Sequence, residues 1–118
     1  NFVLDHLGKP DVRGKKAEPW AADLKTLAAL PNVVCKISGL ATEADWKNWQ
    51  PSDLKFYFER ALEYFGFDRI LFGGDWPVAT LATNYERWIE TVCELFSFAT
   101  ETDCVKLFQT NAERIYRV

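Results

Sequence analysis

Three short apolar runs in this chain each lead into a turn that carries glycine and a polar side chain, and a stretch with helical periodicity follows each run. The β-branched and aromatic residues of these runs are typical of buried strands. We predict strands over residues 2–5, 33–39 and 70–72. Threefold alternation of strand and helix is typical of a parallel sheet with right-handed crossovers.

Apolar periodicity and cap residues predict four helices. Pro19-Trp20 opens the first, and Pro51 opens the second, with Gly66 as its C-terminal cap. A capping box over residues 83–86 starts the third, and the last runs from near residue 100 to about residue 116. The apolar faces of the first three are Trp20, Leu24, Leu27 and Leu30; Leu54, Phe58, Ala61, Leu62 and Phe65; and Trp88, Ile89, Val92 and Phe96.

Two architectures fit this order: a small open α/β sheet, or part of a (β/α)₈ barrel. Three strands alone would leave two exposed edges and uncovered apolar faces, which favours part of a barrel. A complete barrel needs about 250 residues, and this chain has 118. The chain starts within a strand pattern and lacks methionine, so we predict that residues 1–118 are a single segment of a longer polypeptide.

Composition argues against several classes of partner. The net charge is −3 and the only basic cluster is Arg13-Gly14-Lys15-Lys16, so no nucleic-acid partner is expected. No apolar run is long enough to cross a bilayer, so no membrane association is expected. The chain has three cysteines, Cys35, Cys93 and Cys104, and no CxxC motif. An odd number at wide spacing argues against a disulfide framework or a structural zinc site. We therefore predict buried, reduced thiols in a cytoplasmic protein.

Two strand ends carry the side chains best suited to chemistry. Asp75 follows Gly73-Gly74 directly after the third strand, where a carboxylate can take a proton from an attacking water. The alternative is an aspartate that caps the following turn. His6, the only histidine, follows the first strand and could ligate a divalent metal or polarise a carbonyl, whereas a lone histidine is more often a core or surface residue.

Four longer motifs carry a family resemblance. The segments Asp5–Pro10, Cys35–Leu40 and Phe72–Val78 resemble the last strand ends of the amidohydrolase-2 family, and Phe108–Tyr116 resembles its closing helix. The sugar-lactonase branch of that family is the most similar. The resemblance implies that this chain is the C-terminal part of a TIM (β/α)₈ barrel, with about three β/α units that supply the sixth to eighth strands.

The same resemblance implies a hydrolase that opens a small sugar or sugar-acid lactone. Asp75 would be the general base and His6 would contact the carbonyl, and both could ligate a divalent metal such as zinc, although metal-independent catalysis is also open. The histidine pair of the family's first strand is absent, so the rest of the barrel is required for an intact site and this segment alone is expected to be inactive.

Four further residues are candidates for binding the substrate. Lys9 lies where a relative carries an arginine that binds a substrate carboxylate; a lysine is a point charge, which favours a neutral sugar lactone, and an exposed loop lysine is the alternative. Lys36 lies in an apolar strand and needs a partner, either a carboxylate in the barrel lumen, a substrate oxygen or Asp5. Trp46 and Trp76 could stack on a sugar ring, although most such aromatic residues belong to cores.

Two rival interpretations stay open. The first is a metal-dependent decarboxylase of the same superfamily, in which Lys9 and Lys36 form part of a carboxylate clamp. The second is a truncated, catalytically inactive fragment or an oligomer of partial barrels.

Overall fold

Three parallel strands with helices between them form the chain, and the computed structural model describes all of residues 1–118. The strands are β1 (Phe2–Leu4), β2 (Val33–Ile37) and β3 (Ile70–Phe72). The helices are α1 (Trp20–Ala28), α2 (Pro51–Phe65), α3 (Tyr85–Leu95), α4 (Glu101–Val105) and α5 (Asn111–Tyr116), and a π-helical turn, Lys106–Thr110, joins the last two.

The sheet has the order β1-β2-β3, and both pairings are parallel. Leu4 pairs with Cys35, and Ile37 pairs with Phe72, so the three strands end at the same edge of the sheet. Residues that follow the strands are therefore brought together although they are distant in sequence. Ser38 and Gly39 were predicted to continue β2, and Asp5 to continue β1, but these residues already belong to the turns.

The helices pack on one face of the sheet. A cluster of 22 buried residues includes Cys35 and Ile37 of β2, Ile70 of β3, Phe58 of α2 and Trp88 of α3. Because side chains alternate along a strand, Lys36 and the following Ser38 lie on the opposite face from this core. In a (β/α)₈ barrel, the face opposite the helices lines the barrel interior.

The predicted helix ends agree with the structure in α2, while α3 requires a correction. Pro51 is the first residue of α2 and Gly66 is its C-cap. The capping box expected over residues 83–86 does not form, because the N-cap is Asn84, whose side chain accepts from the backbone N–H of Arg87. An asparagine accepts this hydrogen bond as well as threonine does, and here it directly precedes the first helical residue.

Two predictions about burial were wrong. Leu27 and Leu30 are 37% and 50% exposed. Because α1 ends at Ala28, Leu30 does not continue its helical face, and Leu27 borders an open hollow between α1 and the turn after β1. Of the three free thiols only Cys35 is buried, and burial raises its pKa to about 12, whereas Cys93 is exposed and Cys104 is half-buried. Cys93 follows Val92 by one residue, a helical step of about 100° that carries it off the buried face.

None of the helices has both the length and the apolar character that a membrane span requires.

Candidate functional site

His6, Ser38 and Asp75 come from the ends of the three strands and meet at one point. The Nδ1 atom of His6 lies 2.8 Å from the hydroxyl oxygen of Ser38, a hydrogen-bond distance. The Nε2 atom of the same ring lies 3.7 Å from Oδ1 of Asp75. The imidazole therefore stands between a hydroxyl on one side and a carboxylate on the other.

Unusual backbone conformations place two of the three residues of this site. His6 and Asp75 have φ angles of 55° and 52°, in the left-handed region that residues other than glycine seldom adopt. Leu7 and Lys9 in the turn after β1 share this conformation, with φ of 52° each. Such conformations cost on the order of 1–3 kcal/mol each and are concentrated at functional sites. Here these conformations bring the side chains of His6 and Asp75, from separate turns, close together.

The pair is partly shielded from solvent. The side chains of His6 and Asp75 are 24% and 15% exposed. At 3.7 Å the two groups are too far apart for a direct hydrogen bond, so both retain bonding capacity toward a third group. A ligand at the carboxyl edge of the sheet would meet an imidazole nitrogen and a carboxylate oxygen together.

Lys36 forms an ion pair with the residue that precedes His6. Its Nζ atom lies 2.8 Å from Oδ1 of Asp5 and 5.7 Å from the ring centroid of Tyr116. Burial lowers the pKa of Lys36, but its interactions with Asp5 and Tyr116 outweigh burial and raise that pKa above its ordinary value. The hydrogen bond from Lys36 lowers the pKa of Asp5. Of the partners left open by the sequence, the structure supplies Asp5.

Lys9 and Trp46 lie apart from this pair. The Nζ atom of Lys9 is 3.8 Å from a carboxylate oxygen of Glu43, and its side chain is 64% exposed. Trp46 donates its indole N–H to the carbonyl of Thr42 and is about half exposed. The backbone N–H of Lys9 donates to the carbonyl of His6, but the side chains of Lys9 and Trp46 form no hydrogen bond with the side chain of His6 or Asp75.

Trp76 is adjacent to Asp75 in sequence and is 75% exposed. It is therefore not a core tryptophan. By contrast, Trp20 and Trp88 are packing residues, as predicted: their indole N–H groups donate to the carbonyls of Leu7 and Gly73.

A cavity of about 370 Å³ lies elsewhere, between the turn after β1 and helix α1. Leu4, Leu7, Trp20 and Leu24 contribute to its walls, and Lys9 lies at its rim. Neither His6 nor Asp75 lines it, so this cavity is separate from the cluster of His6, Ser38 and Asp75.

The donor set of this chain is too small for a metal site of its own. Nε2 of His6 and Oδ1 of Asp75 are donors of the type that zinc accepts, but zinc in proteins usually takes four ligands, three or more of them from the protein. No group of three or more His, Cys, Asp or Glu side chains in the chain is arranged to hold a metal ion.

Ser38 is the residue of this site that the sequence interpretation missed. It is completely buried, and it ends the apolar run of β2 directly before Gly39. A buried polar residue at the carboxyl end of a parallel strand is a usable signal, since such groups are almost always hydrogen-bonded. Its partner could not be named from sequence because 32 positions separate it from His6.

Comparison with known proteins gives a consistent result. A family model described as Amidohydrolase matches residues 1–118. L-fucono-1,5-lactonase from Burkholderia multivorans is 47% identical over 106 residues, which cover 76% of this chain and 36% of that protein. L-fucono-1,5-lactonase from Burkholderia ambifaria is 34% identical over 127 residues, which cover 99% of this chain and 41% of that protein.

A solved structure shows the same arrangement of elements. The crystal structure of an amidohydrolase from Burkholderia multivorans with bound zinc superposes with a TM-score of 0.91 at 41% identity, over 98% of this chain and 43% of that chain. The chain thus spans about two-fifths of the length of the proteins that it matches.

Proposed function

The chain belongs to the amidohydrolase family, and its β/α units are part of the TIM-barrel fold of that family; on this premise we propose that the whole protein hydrolyses a small sugar or sugar-acid lactone. The observation that carries the proposal is the convergence of His6 and Asp75 at the carboxyl edge of the sheet, with 3.7 Å between Nε2 and Oδ1. Active sites of TIM barrels lie at this edge.

Asp75 acts as the general base. Its carboxylate accepts a proton from the water that attacks the lactone carbonyl, and it returns that proton to the ring oxygen as the C–O bond breaks. Its mostly shielded side chain supports this role, because a base must reach the substrate without being fully solvated. The turn after Gly73-Gly74 brings the carboxylate to the edge where the substrate enters.

His6 contacts the carbonyl oxygen of the lactone. Negative charge develops on that oxygen when water adds, and a positioned donor stabilises it. The imidazole lies beside Asp75, so the base and the group that stabilises the oxyanion can act on the same carbonyl. Nε2 of His6 and Oδ1 of Asp75 are donors of the type that zinc takes, and a metal held there would need its other ligands from elsewhere in the whole protein.

A neutral sugar lactone fits the surroundings better than an acid. Lys36 is paired with Asp5, and Lys9 faces Glu43, so neither lysine is free to clamp a substrate carboxylate. Trp76 presents an exposed aromatic ring next to Asp75, suitable for the C–H face of a sugar. The names of two relatives, L-fucono-1,5-lactonase, denote the same class of substrate. These two ion pairs favour the lactonase over the decarboxylase, in which Lys9 and Lys36 would form part of a carboxylate clamp.

The test is to measure turnover of a panel of sugar γ- and δ-lactones by the whole protein. A pH-stat records the acid that each hydrolysis releases. Asp75→Asn is expected to lower kcat by about 10²–10⁴-fold, the usual contribution of general acid–base catalysis. Asp23→Asn, at an exposed position of α1, is the matched control and should keep normal turnover. Near-normal kcat for Asp75→Asn would show that another group is the base.

A further inference from the structure

We propose that Ser38 is a positioning residue that donates its hydroxyl proton to Nδ1 of His6 and so keeps the imidazole proton on Nε2. The proposal rests on the proposed function, in which His6 contacts the lactone carbonyl. In this proposal, the Nε2–H group of His6 donates a hydrogen bond to the substrate, and Nε2 does not bind a metal.

The first argument is the hydrogen-bonding inventory of Ser38. Its side chain is completely buried, and its hydroxyl has one hydrogen-bond partner, Nδ1 of His6 at 2.8 Å. A hydroxyl carries one proton and two lone pairs. If Nδ1 donated to the oxygen, the hydroxyl proton would be left buried without an acceptor, which is costly. Donation from Ser38 to Nδ1 satisfies that proton.

The second argument comes from the other side of the ring. A neutral imidazole that accepts at Nδ1 carries its proton on Nε2. Nε2 lies 3.7 Å from Oδ1 of Asp75, where an N–H is attracted by the carboxylate and a bare lone pair would be repelled. The surroundings of both ring nitrogens therefore favour the same tautomer.

The arrangement leaves the Nε2 proton free to act on a substrate. At 3.7 Å, Asp75 is too far away to form a normal hydrogen bond with the Nε2–H group. A substrate carbonyl oxygen placed near both groups can accept a hydrogen bond from it. Zinc at Nε2 would need the opposite tautomer, with the proton on Nδ1 and Ser38 as acceptor.

Ser38 itself does not act as a nucleophile. Serine, imidazole and carboxylate stand in line here, as in hydrolytic triads, but the hydroxyl is fully buried and no substrate atom can reach it. Its effect on the reaction passes through His6.

The test is ¹⁵N NMR of histidine side chains in the whole protein, with His6 assigned by its disappearance in His6→Gln. We expect a protonated Nε2 and an unprotonated, hydrogen-bonded Nδ1. In Ser38→Ala the hydrogen-bond shift of Nδ1 should disappear and both tautomers should be populated. Thr91→Val removes another buried hydroxyl, one bonded within α3, and should leave the His6 signals unchanged.

Turnover provides a second readout. Ser38→Ala should lower kcat about 10–100-fold, as loss of groups that orient a site histidine usually does, with little change in KM. A proton on Nδ1 or a metal on Nε2 in the unaltered protein would overturn the proposal, as would an acyl-enzyme on Ser38 detected by mass spectrometry. The spectrum of the unaltered protein decides the tautomer even if the variant fails to fold or the lactone panel shows no turnover.

Discussion

Gly39 leaves room for the imidazole of His6 where a larger residue would not. A Cβ atom built at Gly39 would lie 2.6 Å from Nδ1 of His6, and the φ angle of Gly39 is +67°. Two requirements for glycine thus coincide at one position: a left-handed backbone and a close approach by the ring. The site therefore depends on a residue that has no side chain of its own.

We predict that Gly39→Ala destabilises the whole protein by about 1–3 kcal/mol and also lowers kcat, because the added methyl displaces His6. Gly66→Ala is the control: its φ is +68°, but a Cβ there would meet nothing within 4 Å. It should lower stability and leave kcat unchanged. Urea denaturation and lactone turnover measure the two effects, and normal turnover by Gly39→Ala would contradict the close contact.

The Asp5–Lys36 ion pair predicts a pH dependence. Lys36 lowers the pKa of Asp5, so Asp5 stabilises the fold above its ordinary pKa of 3.8, and this contribution is lost as the pH falls through the lower, folded-state value. Since the Asp5 side chain is 57% exposed, its effect should be no more than about 1 kcal/mol.

Asp5→Asn should therefore be less stable than the unaltered protein at pH 7, and the gap should close as the pH falls below about 3.8. Chemical denaturation at a series of pH values measures this gap. Glu90→Gln, on the exposed face of α3, should show no such closing. A gap of equal size at all pH values would rule out the ionic contribution.

At the scale of elements, one buried side chain of the last helix hydrogen-bonds to β3. Asn111 of α5 is buried, and its amide nitrogen donates to the carbonyls of Phe67 and Ile70 at 2.6 and 2.7 Å. Ile70 belongs to β3, whose only strand neighbour is β2. The amide of Asn111 therefore donates a hydrogen bond to a carbonyl at the edge of this sheet.

Asn111→Ala should cost about 1–3 kcal/mol, because it leaves two backbone carbonyls without this donor. Asn48→Ala removes an exposed asparagine whose side chain bonds only locally to Asp45, and it should change stability by less than about 0.5 kcal/mol. Denaturation midpoints of the two variants decide this, and equal midpoints would mean that Asn111 does not anchor the helix.

At the scale of the whole molecule, this chain exposes surfaces that proteins usually cover. β1 lies at an edge of the sheet, and its first residue, Phe2, is 69% exposed. Leu30 is 50% exposed and Phe98 is 66% exposed. An open edge strand beside apolar side chains favours pairing with other chains.

We predict that the 118-residue chain, produced alone, self-associates. Sedimentation velocity over a range of concentrations measures this, and Phe2→Lys, which places a charge on the edge strand, should reduce it. Val118→Lys adds the same charge at the other end of the chain and should have a smaller effect. A monodisperse monomer that unfolds cooperatively would contradict this prediction.

Secondary structure and the strand-end location of the candidate residues could be predicted because both depend on neighbours in sequence. Of the apolar face predicted for α2, Leu54, Phe58, Ala61 and Phe65 are buried and Leu62 is half-buried. The turn positions of His6 and Asp75 followed from glycines near them and apolar runs before them. The N-cap of α3 was one residue off, since Thr83 and Asn84 are both suitable cap residues.

Contacts between distant turns could not be predicted in the same way. Lys36 was expected to have a partner, and Asp5 was one of three candidates; only the pairing of β1 with β2 selects it. The exposure of Leu27 likewise depends on how much of α1 the rest of the structure covers.

Residue order alone determined that this chain is built of strand–helix units with His6 and Asp75 at strand ends, because periodicity and turn chemistry act over a few residues. The tertiary structure decided that Ser38 Oγ lies 2.8 Å from Nδ1 of His6 while Asp75 faces Nε2. Parallel pairing places the ends of strands that are more than 30 residues apart side by side, and no local pattern records which atoms then meet.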